Sequence, residues 1–208
     1  MSLYPGLWKT DLHFDYSSLL MHFSKELEQN STDVMLDNDS WQVKQVYQKN
    51  DDVKELPNCY QDILNTLGSD SVMAMAYFNL KAGGRLHNHR DMNGNLLFGV
   101  LRIHIPVKTN PKALMIVGDK DYHLPLGTAW LLDTSQIHGL INSGDDNRIH
   151  LVVDVKKTNR TQYLFPTGLP VVLHLSWFVC VLSVLILRDL IKRPKTLLDR
   201  LKSIVSNK

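Results

Sequence analysis

Residues 127–155, GTAWLLDTSQIHGLINSGDDNRIHLVVDV, contain two apolar runs separated by polar residues. The runs Thr128–Asp133 and Arg148–Val155 are typical of buried strands. Between them, Asn142–Asn147 (Asn-Ser-Gly-Asp-Asp-Asn) has the composition of a turn. The stretch therefore predicts two strands and a hairpin over 138–148 that sets Arg148 beside His138.

The same strand-and-turn pattern extends upstream from this stretch. Further strands are predicted at Val72–Leu80, Leu97–Pro106, Ala113–Val117 and Lys120–Leu126. Short strands separated by turns, with no helical pattern between them, indicate a sandwich or barrel. The sequence therefore predicts a mainly β fold whose core spans residues 71–155.

Two helices are predicted ahead of the β core. Residues 16–27 place apolar side chains on one helix face, and Asp15 is the expected N-cap. Residues 58–67 form the second helical pattern, which Gly68 ends. The first predicted domain, residues 1–160, thus has a β core with flanking helices.

A metal-binding pattern lies within the predicted strands. Side chains at i and i+2 of an extended segment point the same way, so His89 and Asp91 can reach one metal ion. His138 must come from a different strand, and two imidazoles with one carboxylate suit one face of Fe(II). The guanidinium of Arg148 suits the far carboxylate of a 2-oxoglutarate cosubstrate. Spacing does not decide between His89 and His87, which share a face.

The ordered set of these motifs resembles the aspartyl/asparaginyl β-hydroxylase family and its free-proline hydroxylase relatives. The resemblance rests on His-Arg-Asp at 89–91, Leu101–Pro106, Leu132–His138, Asn142 and Arg148–Asp154. It implies a double-stranded β-helix (jelly roll) that uses Fe(II) and 2-oxoglutarate.

The resemblance also implies roles for individual residues. The implied iron ligands are His89, Asp91 and His138, and Arg148 is the implied anchor for 2-oxoglutarate. His104 would be a second cosubstrate contact and Arg102 a contact to a substrate carboxylate. Because Asp91 supplies the acidic ligand that some members lack, the chain is similar to the three-ligand, proline-hydroxylase-like branch. His150 shares a face with Arg148, and it either lines the pocket or is a hydrogen-bonded barrel residue; we favour the second.

Charge and cysteine content limit the other classes of function. The chain has 208 residues and a net charge of +2, but residues 188–208 hold seven Lys and Arg against two Asp. The body is therefore not suited to nucleic acid. Cys59 and Cys180 form no disulfide framework, and the N-terminus lacks the pattern of a signal peptide. These features favour a reducing, cytoplasmic location.

The C-terminal segment, residues 161–208, differs from the rest. Thr161–Leu187 carries no formal charge, and Leu169–Leu187 is nearly long enough to span a bilayer. Residues 196–205 have the pattern of a basic amphipathic helix. A membrane-associated segment is one interpretation, and a core helix or dimer interface is the other. A single crossing with the basic tail inside would place the catalytic domain outside, so an in-plane or re-entrant anchor is expected.

The sequence thus predicts a hydroxylase that uses Fe(II), 2-oxoglutarate and molecular oxygen, and releases succinate and CO2. The expected substrate is an amino acid or an aspartyl/asparaginyl side chain. The alternative is a non-catalytic jelly-roll binding module tethered to a membrane. A cupin-like isomerase with Mn or Zn in the same cluster is a third hypothesis.

Overall fold

The computed structural model of the protein describes residues 4–29, 34–35, 40–91 and 95–192. Contacts within the chain define two compact units, one ending at Pro166 and the other beginning at Thr167. The predicted boundary between residues 160 and 161 lies close to this division, and the domain assignment stays a prediction. The predicted amphipathic helix at 196–205 lies outside the described residues.

The elements of the described residues are mostly short strands. The strands are β1 Leu7–Lys9, β2 Val34–Met35, β3 Trp41–Gln48, β4 Val72–Leu80, β5 Arg85–His89, β6 Val100–Lys108, β7 Ala113–Val117, β8 Lys120–Tyr122, β9 Trp130–Leu132, β10 His138–Asn142 and β11 Arg148–Lys156. The helices are α1 Tyr16–Gln29, α2 Asn58–Leu67 and α3 Leu169–Lys192. Short 3-10 helices cover Val53–Glu55, Leu96–Phe98 and Gln162–Leu164.

The strands form two antiparallel sheets that pack face to face. The large sheet has the strand order β1-β9-β6-β11-β4-β3-β2, and the small sheet has the order β5-β10-β7-β8. Trp41 and Leu80 of the large sheet share a buried apolar cluster with Met115 and Leu140 of the small sheet. This arrangement confirms the predicted jelly roll with flanking helices.

The ends of the first two helices follow the predicted signals. The Asp15 carboxylate accepts hydrogen bonds from the backbone N–H groups of Ser17 and Ser18, at 3.0 and 3.2 Å. It therefore satisfies two N–H groups that have no partner within α1. Gly68 ends α2 with a φ of +87°, which favours glycine, and its N–H donates to the carbonyl of Leu64.

Strands β6 and β11 of the large sheet carry polar side chains on one face and aliphatic side chains on the other. In β6 and β11 the alternation places Arg102 opposite Asp154 and His104 opposite Val152 on the face towards the small sheet. The intervening residues, among them Ile103 and Val153, are fully buried aliphatic side chains on the other face. The alternation of these two strands thus places Arg102, His104 and Asp154 on the face towards the small sheet and aliphatic side chains on the outer face.

Tyr77 of β4 joins the apolar face to both helices. Its hydroxyl donates to the backbone carbonyl of Leu19 in α1 at 2.6 Å, and it lies 3.0 Å from the hydroxyl of Tyr60 in α2. Its ring lies 4.9 Å from that of Phe23, between centroids. Both helices therefore contact the outer face of the large sheet through Tyr77.

The predicted hairpin over 138–148 is wrong. β10 pairs with β5 and β7 of the small sheet, whereas β11 pairs with β4 and β6 of the large sheet. The turn between them carries the chain from one sheet to the other. The Asn142 amide holds this crossing, because it donates to the carbonyls of Leu80 and Asp146 at 3.1 and 2.8 Å.

The strand predicted at 97–106 begins later than expected. Residues 96–98 form a 3-10 helix, and the strand starts at Val100. The Asn95 side chain caps the helix by accepting from the N–H of Leu97, and Gly99 has a left-handed φ of +67°. The strand was predicted correctly from Val100 onwards, whereas residues 97 and 98 belong to the capped 3-10 helix, in which Phe98 is exposed.

Candidate active site

His89 and His138 face each other across one pair of strands. His89 ends β5 and His138 begins β10, and the two residues are direct partners in the antiparallel register. Their ring centroids are 4.3 Å apart. One carboxylate oxygen of Asp91 lies 3.6 Å from Nε2 of His89. One ligand atom from each of these three residues lies within 4.8 Å of the other two.

Backbone carbonyls fix the tautomer of both imidazoles. Nδ1 of His89 lies 2.8 Å from the carbonyl oxygen of His87, and Nδ1 of His138 lies 2.9 Å from that of Gln136. Because a carbonyl oxygen can only accept, Nδ1 carries the proton in each ring. Nε2 therefore presents a lone pair, which is the arrangement that second-sphere hydrogen bonds give to metal-binding histidines.

Burial keeps His138 neutral near pH 7. This burial lowers the pKa of His138 to about 4, and the neighbouring His89 also lowers that pKa. His89 is more accessible, with a side chain that is 40% exposed. The cluster contains His89, whereas His87 is exposed on the same strand and outside the cluster.

Asp91 is held through its backbone and its side chain. Its N–H donates to the carbonyl of Thr134 at 3.0 Å, and its carbonyl accepts from the Asn95 amide at 2.9 Å. Nη1 of Arg102 donates to Oδ2 of Asp91 at 2.9 Å. The oxygen that lies closer to His89 is the other one, Oδ1.

Arg102 also binds Asp154, a contact that the sequence analysis missed. Nε donates to Oδ1 of Asp154 at 2.7 Å and Nη2 donates to Oδ2 at 3.1 Å. The two carboxylates raise the pKa of Arg102 although burial opposes them. The predicted contact of Arg102 with a substrate carboxylate stays a prediction. Only the register of β6 against β11 could have identified Asp154, because 52 residues separate the pair.

His104 is a buried imidazole without a protein partner. Its side chain is 3% exposed, and among the described residues neither ring nitrogen has a hydrogen-bond partner. Burial, and then the charge of Arg148, lower its pKa well below the ordinary value. The ring is therefore neutral near pH 7 and offers one donor and one acceptor.

Arg148 is a fully buried cation beside two neutral imidazoles. Nη2 of Arg148 lies 2.8 Å from Nδ1 of His150, and the His150 and His104 ring centroids are 5.8 Å apart. Because arginine can only donate, Nδ1 of His150 accepts and its Nε2 carries the proton. Among the described residues, neither this Nε2 nor Nη1 of Arg148 has a partner. His150 is hydrogen-bonded to Arg148, as expected, but its Nε2 has no partner among the described residues, so the two roles considered for it are not exclusive.

The buried charge of Arg148 indicates a site for an anion. Burial lowers the pKa of Arg148 to about 9, and none of the described residues supplies it with a carboxylate. Buried charges in proteins are normally paired. A carboxylate would supply both the missing charge and acceptors for the unpaired donors of Arg148 and His150.

A cavity between the two sheets is lined by His89 and His138 of the three-residue cluster and by His104. Its lining consists of Trp41, Phe78, Leu86, His89, Arg102, His104, Met115, Leu132, His138 and Leu140. His104 thus shares a wall with the two facing histidines and lies next to His150. Four polar residues of the site, His89, Arg102, His104 and His138, thus line an otherwise apolar cavity.

Comparison with known proteins identifies the family. The model of the aspartyl/asparaginyl beta-hydroxylase family matches residues 11–158. This match includes every residue of the site described above. No curated protein matches the sequence.

Solved structures share the fold at low sequence identity. An oxidoreductase of the 2OG-Fe(II) oxygenase family from Burkholderia pseudomallei is 14% identical with a TM-score of 0.50, over 74% of this chain and 85% of that chain. SnoN, a non-heme alpha-ketoglutarate-dependent epimerase from nogalamycin biosynthesis, is 10% identical with a TM-score of 0.53, over 74% and 79%. HygX from Streptomyces hygroscopicus, solved with nickel and 2-oxoglutarate, is 11% identical with a TM-score of 0.50, over 74% and 84%.

These structural likenesses establish the double-stranded β-helix and nothing finer. The family match is independent of them and covers well over half of the chain. The chain belongs to the aspartyl/asparaginyl β-hydroxylase family and is a 2-oxoglutarate-dependent oxygenase.

Proposed function

We propose that the protein is an Fe(II)- and 2-oxoglutarate-dependent hydroxylase in which His89, Asp91 and His138 hold the iron. The observation that carries this proposal is the three-residue cluster itself, two of whose members, His89 and His138, line a cavity together with His104. Arg148 is buried and has no carboxylate partner among the described residues. Two imidazoles and one carboxylate are a donor set that suits non-heme Fe(II) and leaves positions open.

Arg148 would bind the far carboxylate of 2-oxoglutarate. Its planar guanidinium is suited to a carboxylate, and its Nη1 is buried without a partner in the described residues. His104 is the second proposed contact, because both of its ring nitrogens are buried and unpaired. His150 keeps Arg148 oriented by accepting from Nη2.

When bound, iron and 2-oxoglutarate supply the oxidation of a substrate C–H bond by molecular oxygen, with release of succinate and CO2. The chain's contribution is orientation and exclusion of water. Trp41, Phe78 and Leu132 line the cavity with apolar surface around the polar groups. Low polarity strengthens the attraction between Arg148 and a carboxylate.

The proposed substrate is an amino acid, free or carried on another molecule, or an aspartyl/asparaginyl side chain. Arg102 is the proposed contact for its carboxylate. Three of the five N–H groups of this guanidinium are used by Asp91 and Asp154, so Nη1 and Nη2 each keep one N–H.

Anaerobic binding of Fe(II) and 2-oxoglutarate tests the proposal. We expect the metal-to-ligand charge-transfer absorption in the purified protein, its loss in His138→Ala, and its weakening in Arg148→Ala. Succinate release with candidate amino acids then separates an enzyme from a non-catalytic binding module. A folded wild-type protein without the absorption band would refute the hydroxylase assignment and favour a module or another metal.

We also propose that helix α3 associates with a membrane, with the catalytic unit in the cytoplasm. The helix has 24 residues, about 36 Å at 1.5 Å per residue, and would lie in the membrane plane or re-enter it, since a single crossing with the basic tail inside would place the catalytic unit outside. Pro170–Arg188 has a mean hydropathy of 2.4. Its exposed large apolar side chains are Val172, Leu173, Trp177, Val179, Val184, Leu185, Ile186 and Leu187. Exposed apolar area of this extent marks an interaction surface.

Flotation of the full-length protein with lipid vesicles tests this second proposal. We expect the protein to float with vesicles that contain anionic lipid, and Leu173→Lys together with Val184→Lys to prevent it. Exchange of two exposed polar positions of the catalytic unit, Gln48→Lys and Asn65→Lys, is the matched control. Flotation unaffected by the helix substitutions would contradict the proposal.

A further inference from the structure

The third proposed iron ligand, Asp91, lies at one end of a chain of ion pairs that crosses between the two sheets. Arg102 donates to Asp91 at 2.9 Å and to Asp154 at 2.7 and 3.1 Å. Asp91 follows β5 of the small sheet, whereas Arg102 and Asp154 belong to β6 and β11 of the large sheet. The guanidinium therefore connects the loop that carries a ligand to the rigid sheet opposite.

The Arg102–Asp154 pair is the fixed part of this chain. The two residues are direct partners across the antiparallel strands β6 and β11. Their contact is bidentate, which restricts both the position and the rotation of the guanidinium plane. The ring of Phe78 lies against the same group, with its centroid 5.6 Å from Cζ of Arg102.

Asp91, in contrast, needs to be held. Its side chain is 25% exposed, and a carboxylate can turn about its terminal bond. Arg102 engages Oδ2, while Oδ1 lies towards Nε2 of His89 at 3.6 Å. A rotation that exchanged the two oxygens or turned the group away would break the charged hydrogen bond to Arg102.

We propose that Arg102 and Asp154 are positioning residues that orient Asp91 so that one defined oxygen meets the metal. This inference rests on the proposed role of Asp91 as an iron ligand. Arg102 would then orient the Asp91 carboxylate before any substrate binds. Asp154, which lies outside the His89–Asp91–His138 cluster, would do so indirectly by holding Arg102. Outer contacts to metal ligands typically affect metal affinity 10- to 100-fold.

The test is Co(II) binding by the full-length protein without cosubstrate or substrate. The dissociation constant and the visible d–d spectrum are measured for wild type, Asp154→Asn, Arg102→Gln and Arg102→Lys. We expect Asp154→Asn and Arg102→Gln to weaken binding at least about 10-fold and to alter the spectrum. Arg102→Lys should fall between them and wild type, because one ammonium cannot bridge both carboxylates in the same planar arrangement.

Two controls separate this inference from its alternatives. Lys108→Gln removes the exposed Lys108–Asp146 ion pair and should leave Co(II) binding unchanged. Near-ultraviolet circular dichroism confirms that each variant is folded. If wild type binds Co(II) through His138 but Asp154→Asn and Arg102→Gln bind equally well with the same spectrum, the positioning role is refuted. If wild type itself fails to bind, the proposed iron site is refuted.

Discussion

At the scale of single residues, the buried charge of Arg148 favours the binding of an anion but lowers the stability of the folded protein. Arg148 is buried and has no carboxylate among the described residues. A desolvated cation of this kind destabilises the folded protein until an anion arrives. Cosubstrate binding would therefore stabilise the protein both by occupancy and by compensating this charge.

Replacing Arg148 should separate these two effects. We expect Arg148→Met to raise the free energy of unfolding of the metal-free protein by about 1–4 kcal/mol, because an apolar side chain of similar length removes the unpaired buried charge. The same variant should lose the stabilisation that wild type gains from 2-oxoglutarate with Mn(II). Urea unfolding with and without these ligands measures both. Lys120→Met, at an exposed position, is the control, and a less stable Arg148→Met would contradict the prediction.

The buried histidines should make the fold sensitive to acid. Burial lowers the folded-state pKa of His104 and His150 well below the ordinary 6.5. Below pH 6.5 the unfolded chain therefore binds more protons than the folded one, and stability falls as the pH falls. Each histidine contributes up to about 1.4 kcal/mol per pH unit.

Urea unfolding of the metal-free protein between pH 7 and pH 5 checks this dependence. We expect His150→Phe to reduce the slope of unfolding free energy against pH, whatever its effect at pH 7. His13→Phe, the same exchange at an exposed position, is the matched control. Equal slopes in His150→Phe and wild type would show that His150 titrates normally in the folded state.

At the scale of elements, the hydroxyl of Tyr77 joins one strand to two helices. Tyr77→Phe should lower the free energy of unfolding by about 1–3 kcal/mol, because the Leu19 carbonyl and the Tyr60 hydroxyl lose a buried partner. Chemical denaturation gives the value. Tyr163→Phe removes a hydroxyl from a side chain that is 67% exposed and should change stability little. A neutral Tyr77→Phe would mean that apolar packing alone fixes the helices.

The elements also show what the sequence could reveal. The strand at 72–80 and the helix at 58–67 were predicted with their observed bounds, because apolar periodicity and local caps are short-range signals. The grouping of His89, Asp91 and His138 was accessible from strand alternation and the family resemblance. The partner strands of β10 and β11 could not be predicted, since the turn at 142–147 does not specify which strands become neighbours. The contact of Arg102 with Asp154 depends on the register of two distant strands and was missed for the same reason.

For the whole molecule, the uneven distribution of apolar residues and charge predicts how it meets a membrane. The helix α3 supplies apolar area, and residues 188–208 supply a net charge of +5, from seven basic and two acidic residues. Vesicle binding should therefore strengthen with anionic lipid and survive 1 M salt. At that concentration the screening length is about 3 Å, so the charges act little and the apolar helix remains. Flotation at low and high salt measures this, and complete release by salt would assign binding to the charges alone.

His89 and His138 are opposite each other in one pair of strands, and this limits which substitutions can alter the distance between them. The spacing of opposed residues in antiparallel strands is set by backbone hydrogen bonds, at about 4.5–5.5 Å between Cβ atoms. Substitutions in the surrounding walls therefore leave the distance between the two imidazoles nearly unchanged. The backbone register thus sets the spacing of the two proposed iron ligands, and the side chains that line the cavity do not set it. Residues such as Met115 and Leu140 can therefore be exchanged to reshape the cavity while the two imidazoles stay opposite each other.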